Sequence, residues 1–189
     1  MKKVGIIGFG TIGFQIARSI DNGFLSPARL SFIVDSSLNR LEVAKKSITK
    51  DKPQMFSDSD SLFHSETYKN TQIVVESASG AAVRQYAKHI LSDGKYLIIF
   101  SVGELVDETF MKVLQSEAVE HTGVIHIPTG AIAGLDAIKS VRNNLDQVTI
   151  STTKNPKISS NIYFVSIYFD VWIGNYSDLD FGNVTRCKC

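Results

Sequence analysis

The stretch Val4-Gly5-Ile6-Ile7-Gly8-Phe9-Gly10-Thr11-Ile12-Gly13-Phe14-Gln15-Ile16-Ala17-Arg18-Ser19-Ile20-Asp21 decides the fold. Residues 4–8 are a short apolar run ending in glycine, which reads as a buried strand. From about residue 11 to 21 the apolar positions Ile12, Ile16 and Ile20 share one face of a helix. Between the two lies Gly8-Phe9-Gly10-Thr11-Ile12-Gly13, a G-x-G-x-x-G. In that pattern the first glycine makes a tight turn and the second lets backbone approach a pyrophosphate. The third lets the helix pack close to the strand. The helix start then points free N–H groups at the phosphates. Gly8, Gly10, Thr11, Ile12 and Gly13 are therefore candidate cofactor-binding residues.

Outward from this unit, short apolar runs alternate with segments of helical period. Strands are expected over 30–34, near Met55, and over 73–76, 96–101 and 124–127. Helices are expected over 38–48, 81–93 and 107–121, the second ending at Gly94. Residues 51–70 are polar and punctuated. A short helix over 135–144 and a strand over 148–152 begin something new. The alternation predicts an α/β fold: a Rossmann-type, doubly wound parallel sheet, followed by an incomplete start of a second α/β domain. The expected division is a dinucleotide-binding domain over 1–127, the incomplete start of a second domain over 128–157, and a divergent tail over 158–189.

Ligands of such sheets gather at the carboxyl ends of the strands. The second strand ends in Asp35, 22 residues beyond Gly13, where a carboxylate suits a ribose diol. A carboxylate there repels a 2′-phosphate, so NAD is the expected cofactor. Arg40, in the first turn of the next helix, keeps NADP possible, although its ordinary reading is a solvated helix residue. The third strand end, Glu76-Ser77-Ala78-Ser79-Gly80, is small enough for a nicotinamide ribose to lie against it. Ser77 or Ser79 also reads as a helix cap. Ser101-Val102-Gly103-Glu104-Leu105 follows the next strand, and residues 127–136 concentrate small residues around Ala131.

Twenty Lys and Arg against 19 Asp and Glu give a net charge of +1, which supplies no basic field for nucleic acid or for an anionic membrane. No apolar run approaches the ~20 residues of a spanning helix. Cys187 and Cys189 stand too close for a structural disulfide and are too few for a zinc site. A cytoplasmic location is expected.

Val74-Val75-Glu76-Ser77-Ala78-Ser79, Ser101-Val102-Gly103-Glu104-Leu105 and Ile127-Pro128-Thr129-Gly130-Ala131-Ile132-Ala133-Gly134-Leu135-Asp136-Ala137, with Lys154-Asn155-Pro156 after them, resemble the L-aspartate dehydrogenase family. The resemblance covers roughly residues 3–157. Glu104 replaces a usual Ala, and Thr129 a Ser. It implies oxidation of L-aspartate by NAD or NADP to iminoaspartate, which yields oxaloacetate and ammonia or feeds NAD biosynthesis. Gly8–Gly13 and Asp35 would hold the adenosine diphosphate half. Ser77-Ala78 and Ser101-Val102 would flank the nicotinamide ribose, and Ala131 would contact the cofactor near its ring. The resemblance makes residues 128–157 the start of a substrate and dimerisation domain and implies a homodimer for a full-length relative.

After Lys157 the pattern stops. The last 32 residues hold seven aromatics, a single Leu (Leu179), and no Ala, Glu, Gln, Met, His or Pro. They read as a departure from the ancestral reading frame. The family's Asn-Val-Asn-like motif and its general acid/base His belong beyond the matching region. His64, His89 and His121 are read as a loop residue and two residues near helix ends. His126, inside Val124-Ile125-His126-Ile127, is read as a buried, satisfied histidine. No catalytic residue is therefore assigned, and the chain as written is expected to be nearly inactive. Two other readings are a dinucleotide-binding module without turnover and an enzyme resembling homoserine dehydrogenase or dihydrodipicolinate reductase.

Overall fold

The short apolar runs form one six-stranded parallel sheet. Its strands are β1 (Lys2–Ile7), β2 (Ala28–Val34), β3 (Gln54–Phe56), β4 (Ile73–Glu76), β5 (Tyr96–Ile99) and β6 (Val124–His126). The helices are α1 (Thr11–Asp21), α2 (Leu38–Ser47), α3 (Ser59–Phe63), α4 (Glu66–Lys69), α5 (Gly80–Ser92) and α6 (Glu108–Glu120). A 3-10 turn, Val102–Val106, follows β5. The computed structural model describes residues 1–128 and Ser140. Of the expected helix over 135–144 only Ser140 is described; the strand over 148–152, Ala131 and the tail over 158–189 lie outside the described residues.

The strand order is β3-β2-β1-β4-β5-β6. The chain runs outward from β1 to β3, then returns to place β4 on the other side of β1. That reversal opens a crevice above the carboxyl ends of β1 and β4, the binding position of Rossmann sheets. Alternate residues feed two cores. Val4, Ile6, Ile33 and Val75 pack with Ala17 and Ile20 of α1 and Leu41 and Ala44 of α2. Ile7, Phe32, Val34, Val74 and Leu97 pack with Val83, Tyr86 and Ile90 of α5 and Leu114 of α6.

One irregularity shapes the first pair. The β1–β2 register shifts between Val4 and Gly5, so that Phe32 stands opposite Gly5. A side chain at Gly5 would overlap the Phe32 ring, which is fully buried there. Burial of such a ring contributes about 1.5–3 kcal/mol. Between Leu30 and Phe32, the Ser31 hydroxyl donates to the Val4 carbonyl at 3.0 Å.

The polar stretch over 51–70 contains two helices that were not expected. Asp58 caps α3 through Ser61 N–H at 2.8 Å, and Ser65 caps α4 through Tyr68 N–H at 3.1 Å. Helices of five and four residues are too short to display a 3.6-residue period. They still insert Leu62 and Tyr68 into the core. A second correction concerns His126. Among the described residues β6 is an edge strand, and His126, at its end, is exposed rather than buried.

Away from the crevice, loops are held by the buried Asp21 and the half-buried Asp51. Asp21 Oδ1 accepts from the N–H groups of Lys50 at 2.9 Å and Asp51 at 2.7 Å, and Oδ2 from Thr49 at 3.1 Å. Asp51 in turn accepts from Leu30 N–H at 2.8 Å. Burial pushes the Asp21 carboxyl upward, but the amide bonds from Asp51, Thr49 and Lys50 outweigh it and hold it below its ordinary 3.8. A carboxyl lowered on folding stabilises above its unfolded pKa, and the contribution is lost as pH falls through the folded value. Asp21→Asn is expected to cost about 1–3 kcal/mol at neutral pH. It should also flatten the fall in stability below about pH 4, read by urea unfolding across that range. An acid limb unchanged in the variant would exclude this role.

Candidate functional site

The crevice is built from the loops that follow β1, β2, β4 and β5. Gly8 turns out of β1 with φ +92°, a left-handed conformation that glycine adopts without a Cβ penalty. A Cβ at Gly8 would come within 2.6 Å of Ala78 Cα, so the loops after β1 and β4 touch backbone to backbone. A Cβ at Gly13 would overlap the Gly8 carbonyl oxygen and approach Ser77 Oγ to 2.9 Å. Gly8 and Gly13 are thus required by the protein itself.

Gly10 differs. It has φ −77°, and among the described residues a Cβ there would meet nothing within 4 Å. The fold therefore does not use that absence of side chain, whereas a ligand lying against the loop would. Gly10 is also the N-cap of α1, and no side chain caps it. The α2 start, at Ser37, likewise has no side-chain cap, whereas the α3, α4, α5 and α6 starts are capped by Asp58, Ser65, Ser79 and Asp107. Thr11 and Ile12 are exposed beside it, and no acidic residue occupies the first turn of α1. The favourable end of the helix dipole is left open to an anion. A dinucleotide pyrophosphate fits these residues.

Asp35 is buried at the end of β2. Its Oδ2 accepts from Phe9 N–H at 2.8 Å, and its Oδ1 from Ser37 N–H at 2.8 Å. The carboxylate therefore braces the glycine loop from the side. Arg40 Nη1 approaches Oδ2 at 3.5 Å, so Arg40 is a partner of Asp35 rather than a merely solvated residue.

Ser77, Ala78 and Ser101 meet around a residue that the sequence reading had passed over. Glu76 closes β4 and is 1% exposed. Its Oε1 accepts from Ala78 N–H at 2.8 Å, Ser79 N–H at 3.0 Å and Ser101 Oγ–H at 2.9 Å. Its Oε2 accepts from Ser101 N–H at 3.1 Å. A buried carboxylate is tolerated only when so satisfied. The available signal was one charged residue closing the apolar run Ile73-Val74-Val75. Ser77 completes the joint, its N–H donating to Ile7 O at 2.8 Å and its hydroxyl to Gly8 O at 3.0 Å. Ser79, the other expected cap, is the one that caps α5, accepting from Ala82 N–H at 3.3 Å.

The structure thus gathers Gly8, Gly10, Thr11, Ile12, Gly13, Asp35, Ser77, Ala78 and Ser101 at one edge of the sheet. Val102, which begins the 3-10 turn, is 44% exposed there. Glu104 does not face solvent alone but pairs with Arg84 of α5. Among the described residues no group of acidic, His or Cys side chains is arranged for a metal ion. No described helix is long and apolar enough to cross a membrane.

The sequence matches the family described as "Homoserine dehydrogenase, NAD binding domain" over residues 8–128. It is 38% identical over 160 residues to L-aspartate dehydrogenase of Nitrosopumilus maritimus, covering 83% of this chain and 56% of the relative. Identity to the Methanocella arvoryzae L-aspartate dehydrogenase is 39% over 155 residues, covering 82% and 54%. The solved aspartate dehydrogenase of Thermotoga maritima superposes with a TM-score of 0.53 at 27% identity, covering 84% of this chain and 58% of that one. The WlbA dehydrogenase of Bordetella pertussis, solved with NADH and UDP-GlcNAcA, superposes at 0.64 with 16% identity, covering 86% and 50%; it shares the fold. The chain spans about half the length of the curated relatives it matches. It belongs to the family of that NAD-binding domain and, within it, to the L-aspartate dehydrogenase family.

Proposed function

We propose that this chain is the cofactor-binding portion of an L-aspartate dehydrogenase-type oxidoreductase. The reaction takes a hydride from Cα of L-aspartate to NAD, or to NADP, and gives iminoaspartate, then oxaloacetate and ammonia. The observation that carries the reading is Gly10: a glycine the fold does not need, at the uncapped start of α1, in a relative of L-aspartate dehydrogenases.

In this reading Gly8, Gly10, Thr11, Ile12 and Gly13 hold the pyrophosphate, and Asp35 orients the adenosine ribose while bracing Phe9. Ser77, Ala78, Ser101 and Val102 flank the nicotinamide ribose. Ala131, outside the described residues, would stand near the ring. The bound dinucleotide supplies the hydride acceptor. The protein's part here is to bind, orient and fix the loops around it. The division at residues 127 and 157 remains part of this proposal, as does the homodimer of a full-length protein. The family described by homoserine dehydrogenase supports a second reading, with L-homoserine as the oxidised substrate.

Two outcomes test the reading. Gly10→Ala should keep the thermal stability of the parent, since its Cβ meets nothing, while weakening NADH binding by about tenfold or more. Gly13→Ala should instead destabilise the fold by about 1–3 kcal/mol, because its Cβ strikes the Gly8 carbonyl. Titration of NADH and thermal unfolding of both variants separate the two glycines. Equal NADH affinity in Gly10→Ala would remove the pyrophosphate from this loop. NADH formation from NAD with L-aspartate, compared with L-homoserine, then distinguishes the substrates. Binding without turnover of either fits the cofactor-binding portion of the enzyme and a non-catalytic module equally.

A further inference from the structure

Arg84 stands in the second turn of α5, exposed, and joins three elements. Its Nε donates to Glu104 in the 3-10 turn, and its Nη2 donates to Asp107 Oδ2 at 2.9 Å. The guanidinium lies 4.7 Å from the centre of the Phe110 ring in α6. Asp107 is shared, since its Oδ1 also accepts from Phe110 N–H at 3.1 Å and so caps α6. Glu104 crosses the head of α5 so closely that a Cβ at Gly80 would come within 2.6 Å of its Cγ and Oε1. The turn over 102–106 therefore rests on the residue that follows Ser79, beside the loop bound by Glu76.

These loops are consequently tied at two depths. Glu76 fixes Ala78, Ser79 and Ser101 from beneath, where water is excluded. None of those bonds reaches the turn itself, residues 102–106, where Leu105 packs against the core and Val102, Gly103 and Val106 are exposed. Arg84 is the described cation that does, through one residue within the turn and one just after it. Glu104 lies over Gly80 and pairs with Arg84.

We propose that Arg84 is a positioning residue for the nicotinamide end of the cofactor. It holds the 3-10 turn against α5 through Glu104 and Asp107 and sets where Val102 stands, without itself touching the ligand. This rests on the reading of Ser101-Val102 as the nicotinamide-ribose loop. Exposed ion pairs add little to global stability. The effect of Arg84 is therefore expected in the geometry of the turn more than in the melting temperature.

The test titrates NADH and ADP separately onto the full chain, as parent, Arg84→Ala, Arg84→Lys and Glu104→Gln. ADP reaches only the glycine loop and Asp35, whereas NADH also fills the nicotinamide end. Arg84→Ala should weaken NADH by about five- to tenfold and leave ADP within about twofold, with little change in melting temperature. The fluorescence gained by bound NADH should fall as its ring environment loosens. Arg84→Lys, which can pair with one carboxylate at a time, should restore part of the loss. Glu104→Gln, which retains a side chain over Gly80, should reproduce the selective loss and serves if Arg84→Ala does not fold. Parallel weakening of NADH and ADP, or no weakening of either, overturns the positioning role while leaving a dinucleotide site intact. A parent chain that binds neither ligand overturns the proposed function, and this inference with it.

Discussion

Burying the Glu76 carboxylate at the top of β4 is the constraint on which the crevice depends. An ionised carboxylate removed from water is costly unless donors replace its hydration. Here the donors are the amides of Ala78, Ser79 and Ser101 and the Ser101 hydroxyl. Charge-assisted bonds of this kind contribute about 1.5–3 kcal/mol each when measured by removal. The loops after β4 and β5 therefore cannot move apart without stranding a charge. Ser77 extends the same joint to the glycine loop through Ile7 and Gly8. One side chain and its neighbours thus connect three of the four loops that line the crevice.

The fourth loop is joined by the same device. Asp35 accepts from Phe9 and Ser37, coupling the end of β2 to the glycine turn. Farther from the crevice, Asp21 gathers the amides of residues 49–51, and Asp51 secures the start of the buried part of β2. Acidic side chains near strand and helix ends repeatedly replace a run of backbone bonds that a loop cannot supply. Among the described helices α1 and α2 start without a side-chain cap, and of these it is α1 that follows the glycine turn. Its donors face outward beside a glycine that the packing does not require.

Much of this was legible in the chain. The strand–glycine–helix unit could be read because a short apolar run gives way to a 3.6-residue period across a motif with a fixed mechanical meaning. Asp35 could be read because a carboxylate closes an apolar strand at the expected distance. Glu76 occupies an equivalent place, but its role depends on Ser101, a residue 25 positions away that only the β4–β5 pairing brings near. The same limit applied to Arg84 and Glu104. His126 failed for another reason: an apolar run reads the same on an edge strand as in the centre of a sheet. α3 and α4 were missed because their caps carry the signal and their lengths carry no period.

The sequence by itself determined the doubly wound plan, the helices that cover it, the glycine turn and the edge at which a ligand would lie. These are local or periodic properties, fixed by which side chains must leave water and by which backbone angles glycine permits. Tertiary structure decided which glycines the protein needs and which it leaves open. It also decided that Asp35 braces a loop, that Glu76 joins two others, and that Arg84 neutralises Glu104. Each of those depends on the distance between groups remote in the chain, and distance is what folding, rather than spacing along the sequence, supplies.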